Sequence, residues 1–505
     1  MRAFETLLSF ANFLAILSLI FPQLHASRWI GYISPITILI AITQIIVEGP
    51  RWQMIPAYIL AILFFLIWLI GTILAAGWHV HRFVSIFILG IGILVFAASI
   101  ALPVLLPVFH FPKPAGPYGI GTVTYHWVDT SRQELFTPDP KVHRELIAQV
   151  WYPARNEPSA PQARYIPNAD AITPEIGRLV HLPGFVFGHL KYVTTNATPY
   201  SDATTSPMAD DRPHYPVLIY LAGVDGFRSA STFQIEALVS HGYIVVGLDQ
   251  PGIAPSLRLL NGQQVLGWPR DEIQPLIDQS VEPQQKAPTL DGKALPGGII
   301  PYFAQDASFT LDQLIRLNQS DPNHLLTGRM DLAHVGTFGV SLGGMDAAEA
   351  CRKEARFQAC LFMDVNMPAD VVKSGLQQPT MFITRDENTM HLEHKENGTW
   401  SDHDITLTVT TMRTVYNHLI GDGYYVEIPG MFHINFTDLP YWSPVLGQIG
   451  MAGPINRQRG FDIVNEYSVA FFDRELKGQS SPLLNGPSKK YPEVIFSSRR
   501  DNSFQ

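Results

Sequence analysis

The run Gly339-Val340-Ser341-Leu342-Gly343-Gly344 carries the residue types that nucleophilic catalysis needs, a serine flanked by glycines. Residues 334–338 (HVGTF) form a strand-like run before it, and 342–355 (LGGMDAAEACRKEA) carry the alanines and charges of a helix after it. A serine in a G-x-S-x-G turn between strand and helix has its hydroxyl lifted clear of the backbone, and the glycines leave room for the strand–helix crossing. The N-terminus of the helix behind it favours negative charge developing on a substrate oxygen. Such a string also arises by chance in chains of this length. Its weight therefore rests on the order strand, turn, helix and on partners downstream.

Serine is a weak nucleophile until a base takes its proton, and that base needs a carboxylate to hold its tautomer. With a nucleophile on such an elbow the chain order is Ser, then Asp or Glu, then His. After the strand-like residues 424–428 comes Pro429-Gly430-Met431-Phe432-His433-Ile434-Asn435-Phe436-Thr437-Asp438. This places His433, one of 17 histidines, where the base belongs. Two carboxylates compete for the acid: Asp364 ends the run 359–363 (ACLFM), and Asp386, with Glu387 beside it, follows Thr380–Thr384 (TMFIT). The general topology of hydrolases with this elbow favours the later strand and so Asp386, and the residues alone leave both open. An oxyanion hole needs two N–H groups about 3 Å from the developing charge. Leu342, after the nucleophile, is one expected donor. Val224, in Ala222-Gly223-Val224-Asp225-Gly226-Phe227, is the other. This chemistry needs no metal or organic cofactor. His391 and His394 around Glu393 read as a solvated loop rather than a metal site, given Lys395, Glu396 and Asn397 beside them.

The elements that must position these groups alternate between strand and helix. Strand-like runs occupy 145–152, 217–221, 243–248, 334–338, 359–363, 380–384 and 424–428, with a helical stretch at Thr232–Ser240. The pattern implies an α/β-hydrolase fold, a mostly parallel sheet with helices on both faces, and puts the elbow after the fifth parallel-type strand. Two irregular stretches, 156–213 and 251–302, are long enough to be functional, and we expect them to lie over the C-terminal edge of the sheet and shape the pocket. No internal repeat is visible.

The chain has 505 residues, a formal charge of −9 and two cysteines, Cys351 and Cys360. No basic block points to nucleic acid. The cysteines read by default as structural thiols; a single disulfide stays open, and the redox compartment with it. Residues 1–111 differ in kind from the rest. Apolar runs at 7–21, 29–47, 54–76 and 83–109 predict a four-helix transmembrane anchor, the first run being short enough for a signal segment although Leu24-His25-Ala26 is a poor cleavage site. Asn12 and Gln44 are expected to make helix–helix hydrogen bonds, and Trp29, Trp52, Trp68 and Trp78 to sit near span ends. Arg2, Arg51 and Lys113 barely outweigh Arg28 and Arg82, so orientation is open. Pro112-Lys113-Pro114 begins the second domain, 112–505.

The second domain resembles the platelet-activating factor acetylhydrolases of the plasma and intracellular type II kind, a serine-dependent phospholipase A2 family. The likeness runs from Pro114-Ala115-Gly116-Pro117-Tyr118-Gly119-Ile120-Gly121 through Tyr215-Pro216-Val217, Gly226-Phe227-Arg228 and Ser240-His241-Gly242-Tyr243-Ile244-Val245. It continues in the elbow, Phe362-Met363-Asp364 and the string from Phe432 to Asp438, whose H-x-N-F-x-D is more specific than the elbow itself. The resemblance implies Ser341 as nucleophile, Asp364 as acid and His433 as base, with Val224 and Leu342 at the oxyanion hole. Asp364 thereby overtakes Asp386. His241 and Asp249 match positions outside the triad and read as structural. Val340 and Ala222 depart from the family pattern, which has histidine at both places, and the membrane region is absent from its secreted members.

The expected function is a membrane-anchored serine esterase that removes short or oxidised sn-2 acyl groups from phospholipids through an acyl-enzyme. Its expected partners are the lipid substrate and the bilayer, with no nucleic acid and no protein partner identified, and an extracytoplasmic site is slightly favoured by analogy with the secreted relatives. A general carboxylesterase or polyester hydrolase of the same fold is the alternative. A non-catalytic membrane-bound module is a third reading, against which the complete Ser–Asp–His set argues.

Overall fold

The computed structural model describes residues 1–21, 32–73, 82–155, 160–200, 208–209, 211–290 and 292–499. Two compact units emerge, one of Met1–Phe109 with Phe185–Val193 and Tyr441–Val445, the other of His110–Gly184, Thr194–Pro440 and Leu446–Gln505.

The second unit is built on a ten-stranded sheet in the order Ile495–Arg499, Gly423–Glu427, Thr380–Thr384, Phe357–Met363, Met330–Val340, Tyr215–Leu221, Ile244–Asp249, His143–Ala154, Gly119–Gln133, Ala197–Pro199. The six strands from Gly423–Glu427 to Ile244–Asp249 run parallel. Tyr215–Leu221, Ile244–Asp249 and Thr380–Thr384 are buried along their whole length, as parallel strands covered on both faces must be. Val217, Ile219 and Leu221 share a core with Phe303, Leu311 and Ala347 of the helices Ile300–Gln319 and Leu342–Lys353. Tyr220 and Phe338 turn the other way, Phe338 meeting Phe472 of helix Arg457–Lys477 at a ring distance of 6.1 Å. This is the α/β-hydrolase fold, a mixed and mostly parallel sheet with helices on both sides.

Three features correct the expectation from sequence. Strand His143–Ala154 is antiparallel to both its neighbours, Ile244–Asp249 and the long strand Gly119–Gln133. The elbow strand is therefore the third parallel strand in chain order rather than the fifth. The stretch 251–302 holds a helix, Arg270–Val281, and two small antiparallel pairs. Cys351 and Cys360 form a disulfide, with Cα atoms 6.7 Å apart; it ties the end of the elbow helix to the strand that leads into Asp364. The sequence could not supply that geometry, because a nine-residue separation is compatible with paired or free thiols.

The chain runs outward from Tyr215–Leu221 to Ile244–Asp249 and then returns to the other side of Tyr215–Leu221 with Met330–Val340. Strand order reverses between these two, and the crevice beyond the carboxyl ends of strands at such a switch point is where open α/β sheets bind ligands.

The first unit contains helices Ala3–Ile20, Ile33–Glu48, Ile55–Ile73 and Arg82–Leu105. Two segments, Ala3–Ile20 and Trp52–Ile73, are long and apolar enough to cross a membrane; Ile33–Glu48 has 16 residues and is shorter. Asn12 Nδ2 donates to the Ala57 carbonyl at 3.0 Å and Tyr58 donates to Gln44 Oε1 at 2.5 Å, each bond joining two helices. Arg51 forks onto buried Glu5 at 2.6 and 2.7 Å, an ion pair that apolar patterning had hidden. Trp52 Nε1 donates to the Val186 carbonyl at 3.2 Å. Arg28, Trp29, Trp78 and the segment Leu24-His25-Ala26 lie outside the described residues.

Closing a loop of about ten residues with a disulfide removes roughly 3 kcal/mol of unfolded-state entropy in the chain-entropy account. The Cys351→Ala/Cys360→Ala variant should therefore unfold at clearly lower urea concentration than wild type under non-reducing conditions. Equal midpoints would show that the cross-link does not hold the elbow helix to the sheet.

Candidate active site

Register sets the site. Gly339 pairs with Leu221 on one side and with Phe362 on the other. Two residues further on, Gly223 and Ser341 come to lie side by side beyond the strand ends. A Cβ on Gly223 would sit 3.0 Å from Ser341 Cβ and 3.2 Å from the Val340 carbonyl, so only glycine fits without a shift. A Cβ on Gly343 would lie 2.0 Å from the Leu221 carbonyl, which is the close strand–helix crossing the elbow requires. Ser341 itself adopts φ 57°, ψ −129°, a strained conformation for a non-glycine residue. Its N–H is held by the Met363 carbonyl at 3.0 Å.

Gly226 N–H closes a turn onto the Gly223 carbonyl at 2.9 Å. The N–H groups of Val224, within that turn, and of Leu342, at the start of the elbow helix, donate to no acceptor among the described residues. Asp249 fixes the far end of this loop by accepting the Arg228 N–H at 2.7 Å and pairing with its guanidinium. His241 bonds the Ala237 carbonyl through Nδ1 at 2.7 Å. Val340 and Ala222, the two departures from the family pattern, are both buried.

Asp364 follows Met363 at the end of its strand with φ 48° and no exposed surface. Its Oδ2 lies 2.5 Å from His433 Nδ1. Thr384 Oγ1 donates to Oδ1 at 2.8 Å, and Arg385 Nε lies 3.0 Å from Oδ1 and 2.9 Å from Oδ2. Burial opposes ionisation of Asp364, but the Arg385 charge and the His433 hydrogen bond outweigh it and hold the carboxyl well below the usual carboxylate range. His433 sits in the 3-10 turn His433–Phe436, which follows strand Gly423–Glu427 after a bend at Gly430 (φ 80°).

Of the two competing carboxylates, Asp364 is the one bonded to His433. Asp386 caps helix Glu387–Asn397 and accepts from Thr389 Oγ1. The segment around Glu393 is not a solvated loop: Glu393 is buried in that helix, accepts Arg385 Nη1 at 2.5 Å and accepts the His433 N–H at 3.0 Å. His394 Nδ1 meets the Thr399 carbonyl at 3.1 Å, and His391 Nδ1 faces Asp402 at 3.4 Å. The H-x-N-F-x-D string owes its residue types to support. Asn435 Oδ1 accepts from Phe432 N–H at 3.0 Å and Gly453 N–H at 2.8 Å. Asp438 accepts the Thr232 and Phe233 N–H groups at 2.7 and 3.1 Å, capping the helix that follows the Gly223–Gly226 turn.

Reasoning from sequence missed Arg385, Glu393, Trp400 and Asp225. Trp400 has φ 61°, and its ring centroid lies 4.7 Å from that of His433 and 4.7 Å from Arg385 Cζ. Asp225 occupies the third position of the Gly223–Gly226 turn with φ 61°, a place that usually takes glycine. Burial pushes its carboxyl up to about 6 against the pull of Arg270 and Arg178. These two arginines come from the two irregular stretches, which Arg178 ties together through a 2.8 Å bond to the Gly267 carbonyl.

Known proteins resemble this chain in sequence and in fold. Residues 313–497 match the family model for platelet-activating factor acetylhydrolase, isoform II. A probable 1-alkyl-2-acetylglycerophosphocholine esterase of Arthroderma benhamiae is 23% identical over 416 residues, 77% of this chain and 94% of that one. The platelet-activating factor acetylhydrolase of Cavia porcellus is 22% identical, covering 72% of this chain and 78% of its own. Among solved structures, a ferulic acid esterase from Streptomyces cinnamoneus superposes with TM-score 0.57 at 24% identity, over 77% of this chain and 99% of that one, and shares the fold. Fold and relatives together define a carboxylic ester hydrolase of the α/β-hydrolase class. Within that class, the chain is similar to platelet-activating factor acetylhydrolases, by the family model over residues 313–497 and by these relatives over most of their length.

Asp225 gives a test of the loop's electrostatics. Its folded carboxyl holds a proton more tightly than the unfolded one, so the residue begins to cost stability as pH rises above 3.8 and the cost is complete above about 6. That cost is at most about 3 kcal/mol. Asp225→Asn, which tolerates the same backbone conformation, should raise the melting temperature at pH 8 and leave it nearly unchanged at pH 4. An equal change at both pH values would contradict the account.

Proposed function

We propose that Ser341, His433 and Asp364 form a catalytic triad, and that the protein is a membrane-anchored esterase of short or oxidised sn-2 acyl groups on phospholipids. The observation that carries this reading is the 2.5 Å bond between His433 Nδ1 and a fully buried Asp364, with Ser341 on a strained elbow one strand away. His433 Nε2 takes the Ser341 proton as Oγ adds to the ester carbonyl. The carbonyl electron pair moves onto oxygen and is received by the N–H groups of Val224 and Leu342. Collapse of the tetrahedral intermediate expels the glycerol oxygen, which takes the proton from His433, and leaves the acyl group on Oγ. Water then repeats the sequence, losing its proton to His433 and releasing the carboxylic acid and free Ser341. Asp364 stays ionised throughout and stabilises the imidazolium.

The substrate class rests on the relatives, whose names specify acetylated ether phospholipids. The membrane anchor rests on helices Ala3–Ile20 and Trp52–Ile73. Large apolar side chains stand exposed on the first unit, among them Phe10, Leu39, Ile46 and Leu94, an apolar surface larger than soluble monomers usually show. We take residues 1–111 as a multi-pass anchor and 112–505 as the catalytic domain. The Cys351–Cys360 disulfide favours placing that domain on an oxidising, extracytoplasmic side.

Matched phosphatidylcholines bearing sn-2 acetyl or sn-2 palmitoyl, offered in detergent to purified wild type, Ser341→Ala and Asp364→Asn, test this function. Acetyl release by wild type should exceed palmitoyl release, and kcat should fall at least about a thousandfold in each variant. Cleavage of simple esters through Ser341 with neither lipid hydrolysed would instead favour a general carboxylesterase.

A further inference from the structure

A triad carboxylate holds the tautomer of its histidine and stabilises the imidazolium. Here Asp364 divides its charge between His433 and a guanidinium. Arg385 Nε lies 2.9 to 3.0 Å from the carboxylate oxygens, and both side chains are fully buried. Arg385 is in turn paired through Nη1 with Glu393 at 2.5 Å, while its Nη2 has no acceptor among the described residues. Trp400 faces both Arg385 and the His433 ring, with 4.7 Å to each. Glu393 also holds the His433 main chain through its N–H at 3.0 Å. Asp364, Arg385 and Glu393 carry a net charge of −1 between them. When His433 becomes an imidazolium during acyl transfer, the buried cluster of four reaches zero.

We propose that Arg385, with Glu393 as its counter-charge, is a positioning residue that sets the pH at which His433 works as a base. Arg385 orients Asp364 through Nε and tempers the pull of Asp364 on the imidazolium, and Glu393 restores the charge that Arg385 removes. The inference rests on the reading of Ser341, His433 and Asp364 as the triad. Asp364, Arg385 and Glu393 are all buried, so each charge is felt strongly at His433. The other groups nearby are placed less directly. Tyr425 lies within electrostatic reach of Asp364, Asp386 and Glu387 begin the Glu393 helix, and Glu427 is paired with Arg413 at 2.7 Å.

The two charges must act in opposite directions. Removing the cation in Arg385→Met favours the imidazolium and should move the acidic limb of the kcat/KM–pH profile upward by about one pH unit or more. Removing the anion in Glu393→Gln, which keeps the shape and the hydrogen-bonding capacity, should move it downward. Arg385→Lys retains the charge and loses the guanidinium that bonds Asp364 through Nε and Glu393 through Nη1 at once, so the limb should stay near wild type while kcat falls. Profiles are read on p-nitrophenyl acetate between pH 4 and 9. Should Arg385→Met not fold, Glu393→Gln and Arg385→Lys still decide the matter. A downward shift in the first and an unmoved limb in the second support the proposal; an unmoved limb in Glu393→Gln, or shifts of the same sign in Glu393→Gln and Arg385→Met, overturn it. Ser341→Ala is run alongside. Full activity in that variant would remove the triad reading itself, whereas an inactive Ser341→Ala with unmoved limbs elsewhere would remove only the role of Arg385.

Discussion

A carboxylate removed entirely from water is tolerated only when charge and hydrogen bonds replace its hydration, and Asp364 imposes that condition on everything around it. Its oxygens are met by Thr384 and Arg385 beyond the next strand and by His433 beyond the strand after that. Arg385, once buried to serve Asp364, needs an anion of its own and finds it in Glu393. Glu393 requires helix Glu387–Asn397 to lie against the sheet, and there it also receives the His433 N–H. One buried charge thus determines how three consecutive strand ends and a helix come together.

The same edge of the sheet concentrates backbone strain. Among the described residues, four of the six non-glycine residues with positive φ are Asp225, Ser341, Asp364 and Trp400, which are the turn beside the elbow, the elbow serine, the partner of His433 and the ring against His433. Strain of this kind persists where surrounding structure over-determines it. Here the surroundings are strand Tyr215–Leu221 and the buried end of Met330–Val340, on either side of the switch point, and the glycines that let the loop and elbow touch.

The sequence carried part of this plainly. The elbow, the strand that feeds it and the run to His433 are local patterns of glycine, serine and apolar residues, and they lie where they were expected. That Asp364 rather than Asp386 meets His433 was to be expected only from the family resemblance, since both follow buried strands and only the third dimension shows the contact. Arg385, Glu393 and Trp400 left no signal. Their partners are up to 69 residues apart in the chain for the groups that share Asp364, and Glu393 sits in a charged stretch that reads as surface. Strand Gly119–Gln133 and helix Arg457–Lys477 escaped notice for a related reason: the first mixes polar and apolar residues without strict alternation, and the second has an apolar face defined by Phe461, Val464 and Phe471 amid many charges. The disulfide depends on a Cα separation that no sequence states.

The helical unit poses a separate physical problem, because its apolar faces are exposed while its polar groups, Glu5 and Arg51 among them, are turned inward and paired. That inversion of the usual arrangement is what a lipid surrounding rewards, and it is the physical ground for the proposed membrane anchor. The central claim, that Ser341 is the nucleophile, is tested most directly by reacting the detergent-solubilised protein with a fluorophosphonate and mapping the adduct by peptide mass spectrometry. The account predicts a single stoichiometric adduct on Ser341, lost when His433 is replaced by alanine. An unmodified Ser341, or an adduct on another residue with activity abolished, would contradict it.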